Sequence, residues 1–216
     1  MARQERAIRT RNAVLEAAGA VFAENGYESA TIQDVLDRAG VTKGALYFHF
    51  GSKEELARGV LEHAVIEVPP LQPIRIQSFV DTGLVLAHRL PREPLLRGAA
   101  RIATDQSARR FFGHPWRDWV GQAVWQLAAA KDQGELLPHV DPDGVAQTMV
   151  GAFTGIQLMS QAATDLSDLG LRISRLYDLV LPSITVPGLI AQVDTSPERG
   201  ARVYADNKPT APVEAV

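Results

Sequence analysis

The sequence predicts an all-α fold, with an N-terminal three-helix helix-turn-helix domain and a larger helical domain after it. Apolar residues recur at three- and four-residue spacing along most of the chain, and β-type alternation is scarce. Prolines at 69, 70 and 73 cannot lie inside a helix, so they separate the two parts. We therefore expect domains at 1–67 and 68–204, followed by a polar, disordered tail at 205–216.

The first predicted helix carries one apolar stripe and ends at a glycine. Its stripe consists of Ile8, Leu15, Ala18 and Phe22, and Asn25-Gly26 supplies the stop. The second helix is expected to begin after Thr31, an N-cap residue. Asp34 stands three residues later, as in a short-armed capping box.

A short turn at Gly40 separates the second helix from the third. Gly40 is the type of residue that ends a helix, and Thr42 is an N-cap for the short helix that follows. Ser52 and Glu55 have the spacing of a capping box, and they open a fourth helix. Four helices within sixty residues, with one tight turn, are the arrangement of a helix-turn-helix motif.

Five further helices are predicted in the second part, each bounded by Pro, Gly or Asp. They cover approximately residues 75–89, 93–105, 116–131, 143–163 and 171–184. The last two are long and apolar, so they are the natural candidates for a helical dimer interface.

Composition excludes several function classes. The 216 residues carry a net charge of -3, which permits a local basic surface but not a globally basic one, and they include no cysteine. The five histidines show no metal-ligand spacing, and no nucleophile elbow, Walker loop or dinucleotide glycine pattern is present. We expect no metal, no cofactor and no catalysis. The chain also shows no secretory signal and no spanning segment, so we expect a cytoplasmic protein without a membrane partner.

The segment from Thr42 to Phe50 indicates DNA binding. A reading helix needs small residues where its first turn meets the groove floor, and Gly44 and Ala45 supply them. Hydrogen-bond donors surround that gap, and Leu46 and Phe50 face inward. The donors are Thr42, Lys43, Tyr47, His49 and Lys53. A capped helix with an ordinary solvated face is the alternative, but the position between the Gly40 turn and the Ser52 cap favours DNA.

Residues 8–56 resemble the DNA-binding domain of the TetR family. The matching motifs are Gly26-Tyr27, Thr31, Gly40 to Phe50 and Lys53 to Leu56. The resemblance implies that the helix from Thr42 reads the major groove while the helix from Thr31 supports it. It also implies phosphate contacts from Thr31, Tyr47, His49 and Lys53, and base-edge contacts from Lys43 and Gly44. The expected partners are a second copy of the chain and a pseudo-palindromic operator in double-stranded DNA.

A second resemblance is to the γ-butyrolactone receptors of the A-factor receptor type. It is carried by the opening Met-Ala-Arg-Gln, the run from Gly26 to Thr31 and the segment from His114 to Trp119. These receptors are repressors that a small lactone releases from DNA, and their pocket tryptophan matches Trp119. Between Ala64 and Arg110 no motif aligns with that branch.

The resemblance makes Trp119 the first candidate for effector binding. Phe153 and Gln157 lie one turn apart on the 143–163 segment, so both are further candidates. Trp116 and Trp125 are expected in the core or an interface. A basic N-terminal arm with Arg3, Arg6, Arg9 and Arg11 is expected to follow phosphates.

The residues leave several alternatives open. The effector is a γ-butyrolactone-type signal by resemblance, but a furan or butenolide, an antibiotic or a multidrug ligand is also compatible with the sequence. Activation rather than repression is compatible too. A different class is an all-α small-molecule-binding protein or enzyme with a vestigial DNA-binding domain.

Overall fold

The computed structural model describes residues 2–64, 68–105, 108–112 and 116–207, and these fold into helices grouped in two compact units. Unit 1 comprises residues 1–65 and 90–116, and unit 2 comprises 66–89 and 117–216. The helices of unit 1 are α1 (Ala2–Ser29), α2 (Ile32–Ala39), α3 (Lys43–His49), α4 (Lys53–His63), α6 (Pro94–Thr104) and α7 (Arg109–Phe112). The helices assigned to unit 2 are α5 (Arg75–Arg89), α8 (Trp116–Asp132, whose first residue lies in unit 1), α9 (Pro142–Thr164), α10 (Leu169–Ile184), α11 (Pro187–Ile190) and α12 (Arg199–Asn207).

Helix α1 is broken at Gly26, where the sequence predicts a stop. Gly26 has φ 72° and ψ 174°, which an L side chain rarely adopts, and helical structure resumes after it as far as Ser29. The predicted apolar stripe is confirmed at Leu15 and Phe22, which are buried. The prediction is wrong at Ile8, which is 53% exposed. The apolar stripe therefore reaches the core only from about the fourth turn of α1 onward.

The caps of α2, α3 and α4 lie where the sequence predicts them. Thr31 accepts a hydrogen bond from the Asp34 N–H, and the Asp34 carboxylate accepts from the Thr31 N–H. Gly40 has φ 64° and ends α2 in the left-handed conformation. Ser52 accepts from the Glu55 N–H, but the Glu55 carboxylate accepts from the N–H of Gly51 rather than that of Ser52. The reciprocal hydrogen bond of the second capping box is therefore made to the residue before the N-cap.

Residues 90–116 pack in unit 1, so the compact units do not follow the division at residue 67. Helix α6 crosses α1 at Gly19 and Gly98, where a Cβ on either glycine would collide with the backbone of the opposite helix. Two glycines at a helix crossing allow the backbones to approach closely, and neither shows this role in the sequence. The functional division into 1–67 and 68–204 stays a prediction.

Unit 2 is closed by a C-terminal helix that the sequence did not predict. Helix α12 packs on α5, where Gly200 contacts the backbone of Leu84. The fully buried carboxylate of Asp81 on α5 binds the guanidinium of Arg199, with Nη2 2.8 Å from Oδ2. Because α12 extends to Asn207, the first three residues of the expected tail are helical. The remainder, 208–216, lies outside the described residues.

The five helices predicted for the second part are confirmed within two residues at each end. The segment 183–186 resembles a strand in sequence, but its first two residues belong to α10, and only Thr185 forms an isolated bridge, with Leu136. Within the described ranges, no helix is both long enough and apolar enough to cross a bilayer.

Candidate nucleic-acid interface

Helix α3 separates its residues cleanly into an inner and an outer face. Leu46 is fully buried and Phe50, its C-cap, is 4% exposed, so both hold the helix on the body of unit 1 as predicted. Thr42 caps the helix, because its hydroxyl oxygen accepts from the Ala45 N–H at 3.3 Å. The outer face, which is turned to solvent, consists of Lys43, Gly44, Tyr47 and Phe48.

Gly44 has no structural reason to be a glycine within unit 1. It lies in the first turn of α3 in a helical conformation, and a Cβ built on it meets no atom within 4 Å. A glycine in a helix costs roughly 1 kcal/mol relative to alanine. Packing within unit 1 therefore does not require a residue without a side chain at this position.

Cationic and hydroxyl groups surround the gap at Gly44. The ammonium group of Lys43 lies 5.9 Å from the centre of the Tyr47 ring, one turn further along α3. Tyr47 is 43% exposed, and the half-buried ring of His49 contacts the rings of Phe48 and Phe50. Thr31 is exposed at the start of α2, where its oxygen is used as the cap. The side-chain and backbone hydrogen bonds between Thr31 and Asp34 lower the pKa of the Asp34 carboxyl.

Lys53 is held more tightly than a solvated lysine. Its ammonium group donates to the Glu28 carbonyl at 2.9 Å and lies 4.8 Å from the centre of the Tyr27 ring. Burial lowers the pKa of this group, and the nearby Glu28 opposes that effect. The predicted phosphate contact of Lys53 thus competes with an internal role.

Phe48 is an exposed residue that the sequence analysis did not assign. Its side chain is 79% exposed, in the last turn of the helix that carries Lys43 and Tyr47. An apolar side chain on a groove-reading helix contacts the methyl group of thymine. The helical periodicity around Leu46 and Phe50 already indicated that Phe48 points elsewhere.

The N-terminal basic segment is helical rather than an extended arm. Helix α1 begins at Ala2, and the guanidinium of Arg11 donates to Nε2 of His63 at 2.7 Å. The same guanidinium lies 5.3 Å from the centre of the Phe50 ring. Arg11 therefore packs beneath the reading helix, whereas Arg6 and Arg9 are exposed. The side chain of Arg3 lies outside the described residues.

The predicted effector residues lie on two helices of unit 2. Trp119 is half-buried on α8, and Phe153 and Gln157 are half-buried one turn apart on α9. A pocket of about 280 Å³ opens elsewhere in the same unit, beside Trp125, and none of the three residues lines it. Trp125 itself is 54% exposed, which removes it from the core.

Helices α9 and α10 expose apolar side chains of the kind an interface covers. Met159 on α9 is 62% exposed and Leu179 on α10 is 79% exposed. A Cβ at Gly151 or Gly155 would meet no atom within 4 Å. The outer faces of both helices are therefore free of packing within unit 2 at these positions.

Two family models match the chain. Residues 14–60 match "Bacterial regulatory proteins, tetR family", and residues 75–187 match "Tetracyclin repressor-like, C-terminal domain". The first match contains α2 and α3 with the whole outer face described above. The second contains the predicted effector residues.

Curated relatives and solved structures agree with these models. The A-factor receptor protein of Streptomyces griseus is 39% identical over 89% of this chain and 70% of its own length. The crystal structure of tylp, a TetR regulator from Streptomyces fradiae, is 40% identical with a TM-score of 0.81, over 93% of this chain and 98% of that one. The crystal structure of a γ-butyrolactone receptor (ArpA-like protein) is 26% identical with a TM-score of 0.70, over 93% and 98%. With an exposed reading helix in the first matched region and a helical second region, this chain belongs to the TetR family of bacterial transcriptional regulators.

Proposed function

We propose that two copies of this chain bind a pseudo-palindromic operator and repress transcription until a γ-butyrolactone-type effector releases them. The observation that carries the DNA-binding part is the outer face of α3. Gly44 leaves space above the first turn, and Lys43, Tyr47 and Phe48 rise around that space. Such a face suits the floor of a major groove, because polar groups read base edges while hydroxyl and cationic groups hold phosphates.

Two copies are needed because one reading helix contacts only a few base pairs. In a dimer, the reading helices must lie about one DNA turn apart, roughly 34–36 Å. The exposed apolar residues of α9 and α10, among them Met159 and Leu179, supply a surface that a second copy would cover. A symmetric dimer is the commonest homo-oligomer, and it matches the symmetry of a palindromic operator.

The effector part of the proposal rests on Trp119, Phe153 and Gln157. An indole and a phenyl ring suit an apolar ligand, and the indole N–H and the amide offer hydrogen bonds to ring oxygens. The likeness to the A-factor receptor protein and to a γ-butyrolactone receptor supports a lactone as the ligand. All three side chains are half-buried, so a ligand contacting them would be partly withdrawn from water.

Release requires differential binding, not occupancy alone. An effector shifts the population only if it prefers the conformer that cannot hold DNA. Moving the balance from 1:99 to 99:1 requires about a 10⁴-fold preference. A weakly selective ligand would bind the protein and leave the operator occupied.

The test is a binding titration on the DNA upstream of the protein's own gene. Fluorescence anisotropy should show saturable binding of a fragment with an inverted repeat, and a synthetic γ-butyrolactone should release it. A butenolide and a furan carboxylic acid are the matched comparison ligands. Release by these but not by the lactone would reassign the effector, and absence of sequence-specific binding would overturn the regulatory function.

A further inference from the structure

We propose that the pocket beside Trp125 is a second ligand site, which takes a free α-amino acid with an apolar side chain. It lies wholly within unit 2, between the start of α5 and the second half of α8. Its lining residues are Leu71, Arg75, Ser78, Trp125, Gln126, Ala129, Asp132 and Gln133. The proposal does not depend on the effector role of Trp119.

Two buried polar side chains line this pocket with hydrogen-bonding capacity left over. Gln126 is 3% exposed, and its Nε2 donates to Thr82 Oγ1 at 2.9 Å and to the Ser78 carbonyl at 3.5 Å. Among the described residues nothing donates to its amide oxygen, which is left as an acceptor. A ligand that donates a hydrogen bond to this oxygen would therefore use an acceptor that no group of the described residues occupies.

Ser78 complements Gln126 as a donor. It is 2% exposed, and its oxygen accepts a 2.7 Å hydrogen bond from the backbone N–H of Gln72. Its hydroxyl proton donates to no group in the described part of the chain. The floor of the pocket therefore offers one donor and one acceptor side by side.

Two opposite charges stand at the rim. Arg75 is half-buried, and no described carboxylate pairs with its guanidinium. The nearby Glu135 is occupied, because its two oxygens accept from the N–H groups of Arg75 and Ile76 at the start of α5. Asp132 is exposed and has no cationic partner among the described residues.

The apolar wall completes the site. Trp125 is 54% exposed and Leu71 is 46% exposed, so both present apolar surface at the pocket. Ala129, on α8, also lines it. An aromatic or branched aliphatic side chain would cover this surface.

An α-amino acid matches every one of these groups. Arg75 and the Ser78 hydroxyl would hold the carboxylate, while Asp132 and the Gln126 oxygen would hold the ammonium group. A simple carboxylate would leave Asp132 facing an anion, and a simple amine would leave Arg75 facing a cation. Only a ligand that carries both charges pairs with Arg75 and with Asp132.

The test measures binding to the full-length, DNA-free protein by calorimetry. The probes are L-phenylalanine, L-leucine and L-methionine, with L-phenylalaninamide and 3-phenylpropionate as analogues that each lack one charge. At least one of the three amino acids should bind saturably. Both phenylalanine analogues should bind about tenfold more weakly than the amino acid that binds best. Saturable binding of none of the three amino acids, or equal binding of the analogues, overturns the proposal.

Two variants assign each charge to its residue. In Arg75→Met, phenylalanine should lose its advantage over phenylalaninamide but keep it over 3-phenylpropionate. In Asp132→Asn, the reverse should hold. Arg175→Met, at an exposed arginine of α10 outside the pocket, is the matched control and should bind as the wild type does. Each variant is judged by its preference between two ligands, so a general loss of stability cannot imitate the expected result. An unaltered ligand preference in both variants overturns the assignment.

Discussion

Lys53 and Tyr27 form a cation–π contact of 4.8 Å that ties the first turn of α4 to the end of α1. The same tyrosine ring meets Phe112 edge-on, with ring centres 5.1 Å apart, and its backbone N–H donates to the Asp105 carboxylate at 3.3 Å. One side chain, placed there by the break at Gly26, thus joins three parts of unit 1. Because α4 begins three residues after Phe50, this contact also fixes the corner that follows the reading helix.

Replacing Lys53 separates its internal role from its phosphate role. Lys53→Ala removes the hydrogen bond to the Glu28 carbonyl and the contact with Tyr27, so the melting temperature should fall. If the ammonium group also reaches a phosphate, as we expect, the slope of log affinity against log salt should decrease in magnitude by about one unit. The slope is measured by anisotropy over a salt series. A lower melting temperature with an unaltered slope would restrict Lys53 to packing.

Lys43→Ala should weaken operator binding by about 1–3 kcal/mol, because Lys43 stands beside the open first turn of α3. Effector affinity should stay at the wild-type value, since the substituted side chain is exposed and lies in unit 1. Parallel titrations with operator and with effector check both statements. Arg175→Ala is the control for the loss of one surface charge, and an equal loss in both titrations would mean that the reading helix is elsewhere.

The exposed ring of Phe48 leads us to expect that operator affinity depends on thymine methyl groups. Phe48→Ala should lower operator affinity by roughly tenfold while the melting temperature stays unchanged, because the side chain is 79% exposed. The measurement compares an ordinary operator with one in which uracil replaces thymine. The wild type should bind the uracil operator more weakly.

The variant should not distinguish the two operators, since it lacks the ring that contacts the methyl group. An equal preference for thymine in the wild type and in Phe48→Ala would remove Phe48 from the base contacts.

Trp119→Ala should give a protein that binds the operator normally but is not released by the effector. The reason is that the indole would supply much of the apolar contact to the ligand. Release is measured by adding effector to a preformed operator complex. Arg117→Ala, at an exposed residue of the same helix, is the control and should be released by the effector as the wild type is. A normal response from Trp119→Ala would place the effector elsewhere.

The contacts of Asp168 lead us to expect that the connection between α9 and α10 is less stable in acid. Its carboxylate accepts hydrogen bonds from Ser160 at 2.6 Å and Thr164 at 2.8 Å, and Arg172 binds its second oxygen at 2.7 Å. Hydrogen bonds from Ser160 and Thr164, with help from Arg172, hold the pKa of Asp168 at about 2, below the ordinary aspartate value of 3.8. Since the folded-state pKa is the lower one, this carboxylate stabilises the fold above about pH 4, and that contribution is lost as the pH falls toward 2.

Asp168→Asn should therefore lower the melting temperature at pH 7 and reduce its dependence on pH between about 4 and 2. Thermal unfolding in a pH series measures both quantities. Asp143→Asn, at an exposed acid on the same helix pair, is the control. A parallel pH dependence in the wild type and in Asp168→Asn would contradict the assignment.

Local signals in the sequence were sufficient for the helices α2 to α4 and for most other helix ends. The cap at Thr31 and the turn at Gly40 depend on residues within four positions of each other, so the pattern contains what is needed. The Glu55 side chain was expected at Ser52 and instead reaches Gly51, a choice between two adjacent N–H groups that spacing does not resolve. Ile8 lies on the predicted stripe but before the point where the core begins.

Contacts between residues far apart in the sequence could not be predicted from such local signals. The crossing of α1 and α6 depends on Gly19 and Gly98, which are nearly eighty residues apart and look unremarkable in their own segments. The polar composition after Thr195 gives no sign of a packed helix, yet Arg199 there neutralises a carboxylate that is buried on α5. The position of Trp125 at a pocket, rather than in the core, likewise depends on how α8 is rotated toward Ser78 and Thr82.

The pairing of Asp81 with Arg199 has a consequence for how the chain matures during its synthesis. Arg199 leaves the ribosome more than a hundred residues after Asp81, so until then the Asp81 carboxylate on α5 lacks this cationic partner. Breaking a buried ion pair by removing one partner costs about 3–5 kcal/mol, which is a large share of the stability of a small domain. A nascent or prematurely terminated chain that ends before this arginine would therefore be a preferred target for cellular proteases.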